Sequence, residues 1–336
     1  MSSIIKFAVV GCGSIGKRHI AVLDSMANAE LVAICDLDAD RREEQSELYD
    51  KIPNYVSYEE MLVEAAPEVV CICTPHHLHM EMAIAAAELK VNIVVEKPMA
   101  LSVADCNRMI EAAEKSGVLL SVVKQNRYNV PVRLAKDALS KGRLGKIFMV
   151  KCDILWNRYQ GYYDDSPWRG QVDEEGGSLF TLASHFIDLL VWWFGDVTEV
   201  VTFMETQNHQ IETEDSGCAV LKFDSGTMGS MVWTTCVYNN NYEGSITIVG
   251  EKGTIKIGGQ YLNKIEYWDV SGYPLPDTID YDDQPNMYGK YQGTSSNHDK
   301  VLHAVIEKLL QEDVEVVEGG EGMRSIAAIE KIYNSR

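Results

Sequence analysis

No stretch of eighteen consecutive apolar residues occurs in this chain of 336 residues. A transmembrane helix needs about that length to cross a bilayer, and apolar runs such as the one that includes 191–194 are far shorter. The amino terminus, Met-Ser-Ser-Ile-Ile-Lys-Phe, lacks the charged, apolar and small-residue layout of a secretory signal. A cytoplasmic protein is expected. Positive charge is also short: 30 Lys and Arg stand against 50 Asp and Glu, a net charge of −20. Such a field repels phosphate backbones and anionic lipid, so neither nucleic acid nor membrane is an expected partner. Eight cysteines are present, but no C-x-x-C pair and no zinc-ligand spacing. Metal-knuckle and disulfide-scaffold classes are thereby excluded, and buried, reduced thiols are expected. Internal repeats and low-complexity segments are absent.

What is present is ordinary for a soluble domain protein, with 46% hydrophobic and 24% charged residues. The length exceeds one compact core and predicts two domains, 1–125 and 126–336. In the first, apolar runs at 4–10, 31–35, 69–73, 92–95 and 118–123 alternate with helical patterns such as 78–90. Continuous apolar strands separated by helices imply a parallel, doubly wound sheet covered on both faces. After a helix at 130–141 the pattern turns β-rich, with strands at 146–156, 197–206, 218–223, 227–236, 245–249 and 254–257. Turn signals such as Asp224-Ser225-Gly226 and Glu251-Lys252-Gly253 join them, and one helix at 178–194 interrupts them. This predicts an α+β domain with a large open, mainly antiparallel sheet. The stretch 272–295 reads as a loop, and helices at 296–311 and 320–333 close the chain.

The first strand ends in Gly11-Cys12-Gly13-Ser14-Ile15-Gly16, a G-x-G-x-x-G at a strand-to-helix junction. Gly11 permits the tight turn, Gly13 lets a pyrophosphate approach the backbone, and Gly16 lets the helix pack on the strand. The helix start, with Ser14 and Ile15, offers N–H groups and a positive dipole end to phosphate. Asp36 ends the second strand, twenty residues past Gly16, where a carboxylate can accept the ribose hydroxyls of an adenosine. The pattern predicts a Rossmann domain binding NAD. A carboxylate there disfavours the 2′-phosphate of NADP, and Arg41 and Arg42 read as a solvated helical face.

Ligands bind at the carboxyl ends of strands in such sheets. There the chain carries Thr74-Pro75-His76-His77-Leu78-His79 and, on the next strand, Val95-Glu96-Lys97-Pro98. Thr74, Pro75, His79 and Glu96 are candidate cofactor contacts. The three histidines have no acidic or thiolate partner at ligand spacing, so no metal is expected. Lys97 can hydrogen-bond a carbinol oxygen and stabilise its charge as hydride leaves; its alternative is a surface lysine. In the helix at 178–194, Ser178, Thr181, Ser184, His185 and Asp188 fall within roughly 120° of arc at 100° per residue. This narrow polar stripe on a very apolar helix carries neither Lys nor Glu, which suits a semi-buried site. His185 can take a hydroxyl proton near neutral pH, and Asp188 can orient it or bind substrate; the alternative is a satisfied core histidine. Arg127, Arg158 and Arg169 can each neutralise an anion or form an ordinary salt bridge.

In order and spacing, the glycine turn, Thr74-Pro75, Glu96-Lys97-Pro98 and Gly176-Gly177…His185…Asp188 resemble the glucose–fructose oxidoreductase / inositol dehydrogenase / MocA family. The resemblance covers essentially the whole chain. It implies a Rossmann domain followed by a substrate-binding and oligomerising α/β domain. It also implies a catalytic Lys97 beside the nicotinamide, and cofactor and substrate contacts near Trp168 and Arg169. Polyol-oxidising members carry Asp four residues before the histidine, where this chain has Thr181; that departure argues against a plain inositol dehydrogenase. Ser184-His185-Phe186-Ile187-Asp188, Tyr242-Glu243-Gly244-Ser245, Gly250-Glu251-Lys252-Gly253-Thr254 and Asn297-His298 are similar to the lipopolysaccharide-type sugar dehydrogenases, which oxidise the 3-hydroxyl of a UDP-linked N-acetylglucosaminuronate.

The expectation is therefore an NAD-dependent dehydrogenase of a secondary ring hydroxyl on a sugar or nucleotide sugar. Lys97 and His185 are its catalytic residues, and Arg127, Arg158, Thr181 and Asp188 help to bind substrate. Alternatives are a free-sugar or cyclitol dehydrogenase, an enzyme recycling tightly bound NAD, and a non-catalytic NAD-binding sensor. Strands 197–206 and 227–236 carry apolar residues on both faces, which predicts a homodimer or homotetramer through the second-domain sheet.

Overall fold

The computed structural model describes residues 4–281, 285–288 and 291–336. Its contacts divide the chain into two compact units, Met1–Lys124 with His298–Ile326, and Gln125–Asn297 with Ala327–Arg336.

The first unit is a six-stranded sheet among the described residues. Its strands are β1 (Ile5–Val10), β2 (Ala29–Cys35), β3 (Asn54–Tyr55), β4 (Val69–Ile72), β5 (Asn92–Val95) and β6 (Leu120–Val122). They are parallel, in the order β3-β2-β1-β4-β5-β6. The helices between them are α1 (Ser14–Ser25), α2 (Ala39–Leu48), α3 (Tyr58–Glu64), α4 (His79–Glu88) and α5 (Val103–Ser116). Sequence order reverses between β1 and β4, and such a switch point opens a ligand crevice at the strands' carboxyl ends. The continuous apolar runs are explained by burial on both faces: every residue of β4 is buried, as is all of β1 except Lys6.

In the second unit, α6 (Val130–Ser140) leads into β7 (Ile147–Leu155) and the short α7 (Gln160–Asp164). A π-helical segment, Leu179–Ala183, runs directly into α8 (Ser184–Phe194). Then follow β8 (Val197–Glu205), β9 (Ser216–Phe223), β10 (Met228–Thr234), β11 (Glu243–Gly250), β12 (Gly253–Gly258) and β13 (Lys264–Val270). The sheet order is β13-β12-β11-β7-β10-β9-β8. All its neighbours are antiparallel except β7 and β10, which pair in parallel. Helix α8 covers one face: Phe186 meets Trp156 edge-on at 5.7 Å between ring centroids, and Phe194 meets Phe223 at 5.8 Å. On the other face Val201, Phe203, Val220, Met228 and Val232 stand exposed, Phe203 by 74%.

Two expectations are corrected. The stretch 272–295 is not all loop, because β14 (Pro285–Tyr288) and β15 (Tyr291–Ser295) pair antiparallel; positions 282–284 and 289–290 lie outside the described residues. The thiols are not all buried either, since Cys218 is exposed and Cys236 half-exposed. The closing helices are α9 (His298–Leu309) and α10 (Gly319–Asn334). No described helix is long and apolar enough to cross a membrane.

Candidate active site

In the first unit the glycine turn behaves as its spacing requires. Gly11 has φ 88°, and a Cβ on it would lie 2.7 Å from the Cys73 carbonyl carbon. A Cβ on Gly16 would lie 1.7 Å from Gly11 O, so that glycine is required by packing. Gly13 differs: a Cβ there would meet nothing within 4 Å. The space over Gly13 is therefore open beside the start of α1, whose N-terminus no side chain caps. This is a cradle that a phosphate would fit, and the residues present suit NAD. Ser14 is exposed and Ile15 half-buried at the same turn.

Asp36 is tied to that turn. Its Oδ2 accepts the Cys12 N–H at 2.6 Å and its Oδ1 accepts the Asp38 N–H at 2.9 Å. Arg42 is not purely a solvated residue, because it donates to Asp36 O at 2.6 Å. Burial, with the Asp36 charge next in weight, pushes the Cys12 and Cys35 thiols up to about 12, so both are inert there.

Of the candidate residues at the strand ends, Thr74, Pro75 and Lys97 are half-buried, and the Lys97–Pro98 peptide is cis. His79 is wholly buried. Its ring spans Thr74 O and Pro98 O at 2.9 Å each. Burial lowers its pKa despite those carbonyls; a neutral ring donates to one of them at a time. His79 thus braces two turns.

Glu96 also turns into the interior. It is 4% exposed, and its Oε1 lies 2.9 Å from His19 Nε2 and 3.4 Å from His298 Nε2, while Oε2 accepts the Lys97 N–H at 3.1 Å. Burial alone would raise its pKa; the His19 hydrogen bond and the neighbouring His298 ring outweigh that and hold it well below the carboxylate range. His76, His77 and His79 do not converge as ligands. Among the described residues, the His, Cys and acidic atoms that do converge belong to His19, Glu96 and His298, and to His209, Asp215 and Cys236.

In the second unit the polar stripe is engaged mostly from within. Ser178 donates to Glu214 Oε1 at 2.5 Å, and Thr181 donates to Glu175 Oε1 at 2.7 Å. Asp188 receives Arg127 through two bonds, Nε to Oδ2 at 2.8 Å and Nη2 to Oδ1 at 2.9 Å. Both side chains are buried, and Arg127 also stands 4.7 Å over Trp192. A buried charge needs an opposite partner, and Arg127 and Asp188 supply it to each other. His185 is 5% exposed, one turn before Asp188.

Arg158 is buried over the Trp156 and Tyr162 rings at 5.6 and 5.2 Å, and donates to Asn157 O and Asn241 Oδ1. It lines an open cavity of about 800 Å³ with Tyr159, His209, Cys236 and Tyr238. Arg169 donates to Tyr162 O at 2.8 Å and lies 4.0 Å over that ring, with Trp168 half-buried beside it.

Sequence reasoning missed Glu175, Glu214, His19 and the chemistry of His298. A signal existed for Glu175, which immediately precedes the Gly176-Gly177 turn. Burial raises the pKa of both Glu175 and Glu214, against the hydrogen bonds they accept. Asp215 goes the other way. The amides of Gln207, Asn208 and His209 and the His209 ring outweigh its burial and hold it at about 2.

Comparison with known proteins agrees with this geometry. A family model described as "Oxidoreductase family, NAD-binding Rossmann fold" matches residues 5–124, and one described as "Oxidoreductase family, C-terminal alpha/beta domain" matches 136–336. The crystal structure of the WlbA dehydrogenase from Bordetella pertussis, in complex with NADH and UDP-GlcNAcA, is 37% identical, with TM-score 0.92 over 100% of this chain and 96% of that one. The WlbA dehydrogenase from Chromobacterium violaceum, in complex with the same two molecules, is 35% identical, with TM-score 0.91 over 100% and 94%. Myo-inositol 2-dehydrogenase from Thermotoga maritima is 27% identical over 75% of this chain and 74% of its own.

Proposed function

Because the chain belongs to the oxidoreductase family with an NAD-binding Rossmann fold, we propose that it oxidises the 3-hydroxyl of a UDP-linked N-acetylhexosaminuronate, in envelope polysaccharide synthesis in the cytoplasm. It is an NAD-dependent oxidoreductase acting on CH–OH groups. The observation that carries the substrate class is identity of 37% along the whole chain to a dehydrogenase crystallised with NADH and UDP-GlcNAcA. The inositol dehydrogenases are more distant and match less of the chain.

In this reading the open cradle over Gly13 takes the pyrophosphate at the start of α1, and Asp36 takes the adenosine ribose. NAD, when bound, supplies the hydride acceptor. The Lys97 ammonium donates to the carbinol oxygen and offsets charge developing there. His185 takes the hydroxyl proton. Arg158, in the lining of an open cavity, supplies positive charge for the anionic substrate of a chain whose net charge is −20. Trp168 and Arg169 border the same substrate.

The apolar outer face of the second-unit sheet supports assembly into a homodimer or homotetramer, since patches of this kind on soluble proteins mark interaction surfaces. A monomeric mass by light scattering at micromolar concentration would refute the assembly.

The test of function is NADH formation with UDP-GlcNAcA, free hexoses, hexuronates and inositols, with Lys97→Ala as control. Turnover of the UDP-sugar, lost in the variant, is expected. Turnover confined to free sugars or cyclitols would move the enzyme to catabolism. No turnover across the panel, with NADH still bound, would favour a sensor or an enzyme that recycles bound NAD.

A further inference from the structure

In the second unit the connection between β8 and β9 carries His209 and Asp215, and Cys236 follows the end of β10. Their polar atoms meet. His209 Nδ1 lies 3.0 Å from Asp215 Oδ2 and 3.9 Å from Cys236 Sγ, and one such atom from each residue lies within 4.8 Å of the other two. His209 and Asp215 are buried, and Cys236 is half-exposed. Among the described residues two groups of His, Cys and acidic atoms converge in this way, and this one alone holds a thiol. The open cavity of about 800 Å³ is lined by His209 and Cys236 together, so the group is reached from solvent.

The histidine ring is oriented for a ligand's role. Its Nε2 lies 2.7 Å from Arg158 O, while Nδ1 faces the Asp215 carboxylate. Both neighbours are acceptors, and a neutral imidazole has one hydrogen to give. Given to Arg158 O, the shorter contact, that hydrogen leaves the Nδ1 lone pair against a carboxylate oxygen. A cation has to offset this, either a second proton or a metal ion. Metal-bound histidines donate their other ring N–H to a carbonyl or carboxylate, which fixes the ring. Asp215 is fixed too, by the amides of Gln207, Asn208 and His209 and by the Ser216 hydroxyl. The Cys236 N–H donates to Thr234 Oγ1 at 3.0 Å. A tetrahedral ion bound at about 2.0–2.1 Å to nitrogen and about 2.3 Å to sulfur spaces such atoms by roughly 3.3–3.6 Å. The observed 3.0 and 3.9 Å depart from that spacing by only a few tenths of an ångström.

We propose that His209 Nδ1, Cys236 Sγ and the Asp215 carboxylate bind a divalent transition ion of the zinc class, with a fourth position open to the cavity. The ion takes the place of the Nδ1 hydrogen and of the thiol hydrogen, and both leave as protons to solvent. Thiolate and carboxylate then match its two positive charges, and no electron is transferred. One thiolate and one imidazole select zinc over magnesium or calcium, which take oxygen ligands. Three protein ligands make an open site, whose last position takes water or an oxygen of an anionic molecule. That position faces the cavity which Arg158 also lines. Ligands at 209, 215 and 236 follow no zinc-knuckle spacing, so the sequence alone does not display the group.

The experiment titrates the full chain, treated with a chelator and loaded with NAD, with Co²⁺ as the probe. Absorption is followed in the visible and near-ultraviolet, and Zn²⁺ is then added in competition. One equivalent of Co²⁺ is expected to give the visible bands of a tetrahedral ion and a thiolate-to-cobalt charge-transfer band, all abolished by Zn²⁺. Cys236→Ser is expected to lose the charge-transfer band, and His209→Gln to lose binding. Asp215→Asn keeps an oxygen but not the charge, and raises the Kd by about 10- to 100-fold. Cys218→Ser alters an exposed thiol outside the group and leaves the spectrum unchanged. A wild-type protein without the charge-transfer band would overturn the proposal, as would a band that survives Cys236→Ser or vanishes in Cys218→Ser. The wild-type spectrum decides by itself, so a variant that does not fold leaves the proposal refutable. None of these readouts is turnover, so the proposal stands or falls apart from the sugar-dehydrogenase reading.

Discussion

Replacing Asp188 by Asn tests whether this carboxylate serves the fold or the substrate. The substitution keeps the size of the side chain and removes its charge. Arg127 then stays buried, over Trp192, with its guanidinium facing a neutral amide. The two bonds at 2.8 and 2.9 Å and burial of both side chains make this a paired interior charge, not a surface salt bridge. Removing one partner of such a pair costs about 3–5 kcal/mol, since desolvation of the other is no longer offset. For a unit of this size each kcal/mol shifts the melting temperature by about 2–4 °C, so a fall of roughly 6–20 °C is expected. The assay is thermal unfolding followed by circular dichroism, alongside KM for the UDP-sugar on the fraction still folded. The double variant Arg127→Met/Asp188→Leu is expected to recover most of the loss, because replacing both charges by apolar groups is often neutral. A melting temperature within about 2 °C of wild type, together with a raised KM, would refute the reasoning and return Asp188 to the substrate.

Three further outcomes are expected. Gly13→Ala leaves the melting temperature unchanged, since its Cβ meets nothing, yet weakens NADH binding by about tenfold or more in a fluorescence titration; Gly16→Ala, whose Cβ would lie 1.7 Å from Gly11 O, lowers stability first. Asp36→Asn keeps an acceptor for the Cys12 N–H but removes the charge, so the ratio of NAD to NADP affinity falls by about tenfold with little loss of stability. Asp215 has its pKa lowered on folding from 3.8 to about 2, so its contribution is complete above the unfolded value and is lost as pH falls through that window. Urea midpoints measured from neutral pH to pH 2 are expected to fall less steeply in Asp215→Asn, and parallel curves would sink the assignment.

The first unit was legible because its physics is local. A parallel sheet buried on both faces turns strands into apolar runs, and the glycine turn is short enough to read as a spacing. The polar stripe around His185 was legible as a feature but not in its meaning. Counting at 100° per residue assumes an α-helix, and Leu179–Ala183 is a π-helical turn that shifts the phase. The partners of Ser178, Thr181 and Asp188 come from 36, 6 and 61 residues away, and only the six-residue link to Glu175 lies within reach of a spacing argument. The stretch 272–295 failed for another reason. Its Pro, Gly and Asp residues signal turns, and they mask the two short strands Pro285–Tyr288 and Tyr291–Ser295.

Glu96 shows a rule that was available in the sequence. Successive side chains of an extended chain point to opposite faces, and Glu96 and Lys97 are successive at the end of β5. Only one of them could face the crevice at the strand ends. A lysine can bury its stem and still carry its ammonium outward toward a ligand, and Lys97 is half-buried. The carboxylate must then turn into the interior, where an unpaired charge is not tolerated. Two partners meet it there: His19, three residues past the last glycine of the cofactor turn, and His298, at the start of α9. The same carboxylate receives the Lys97 N–H. The helix that begins at the phosphate cradle and the turn that presents Lys97 are thus fastened to one buried charge, and a change at His19 reaches Lys97 through Glu96 without touching a ligand.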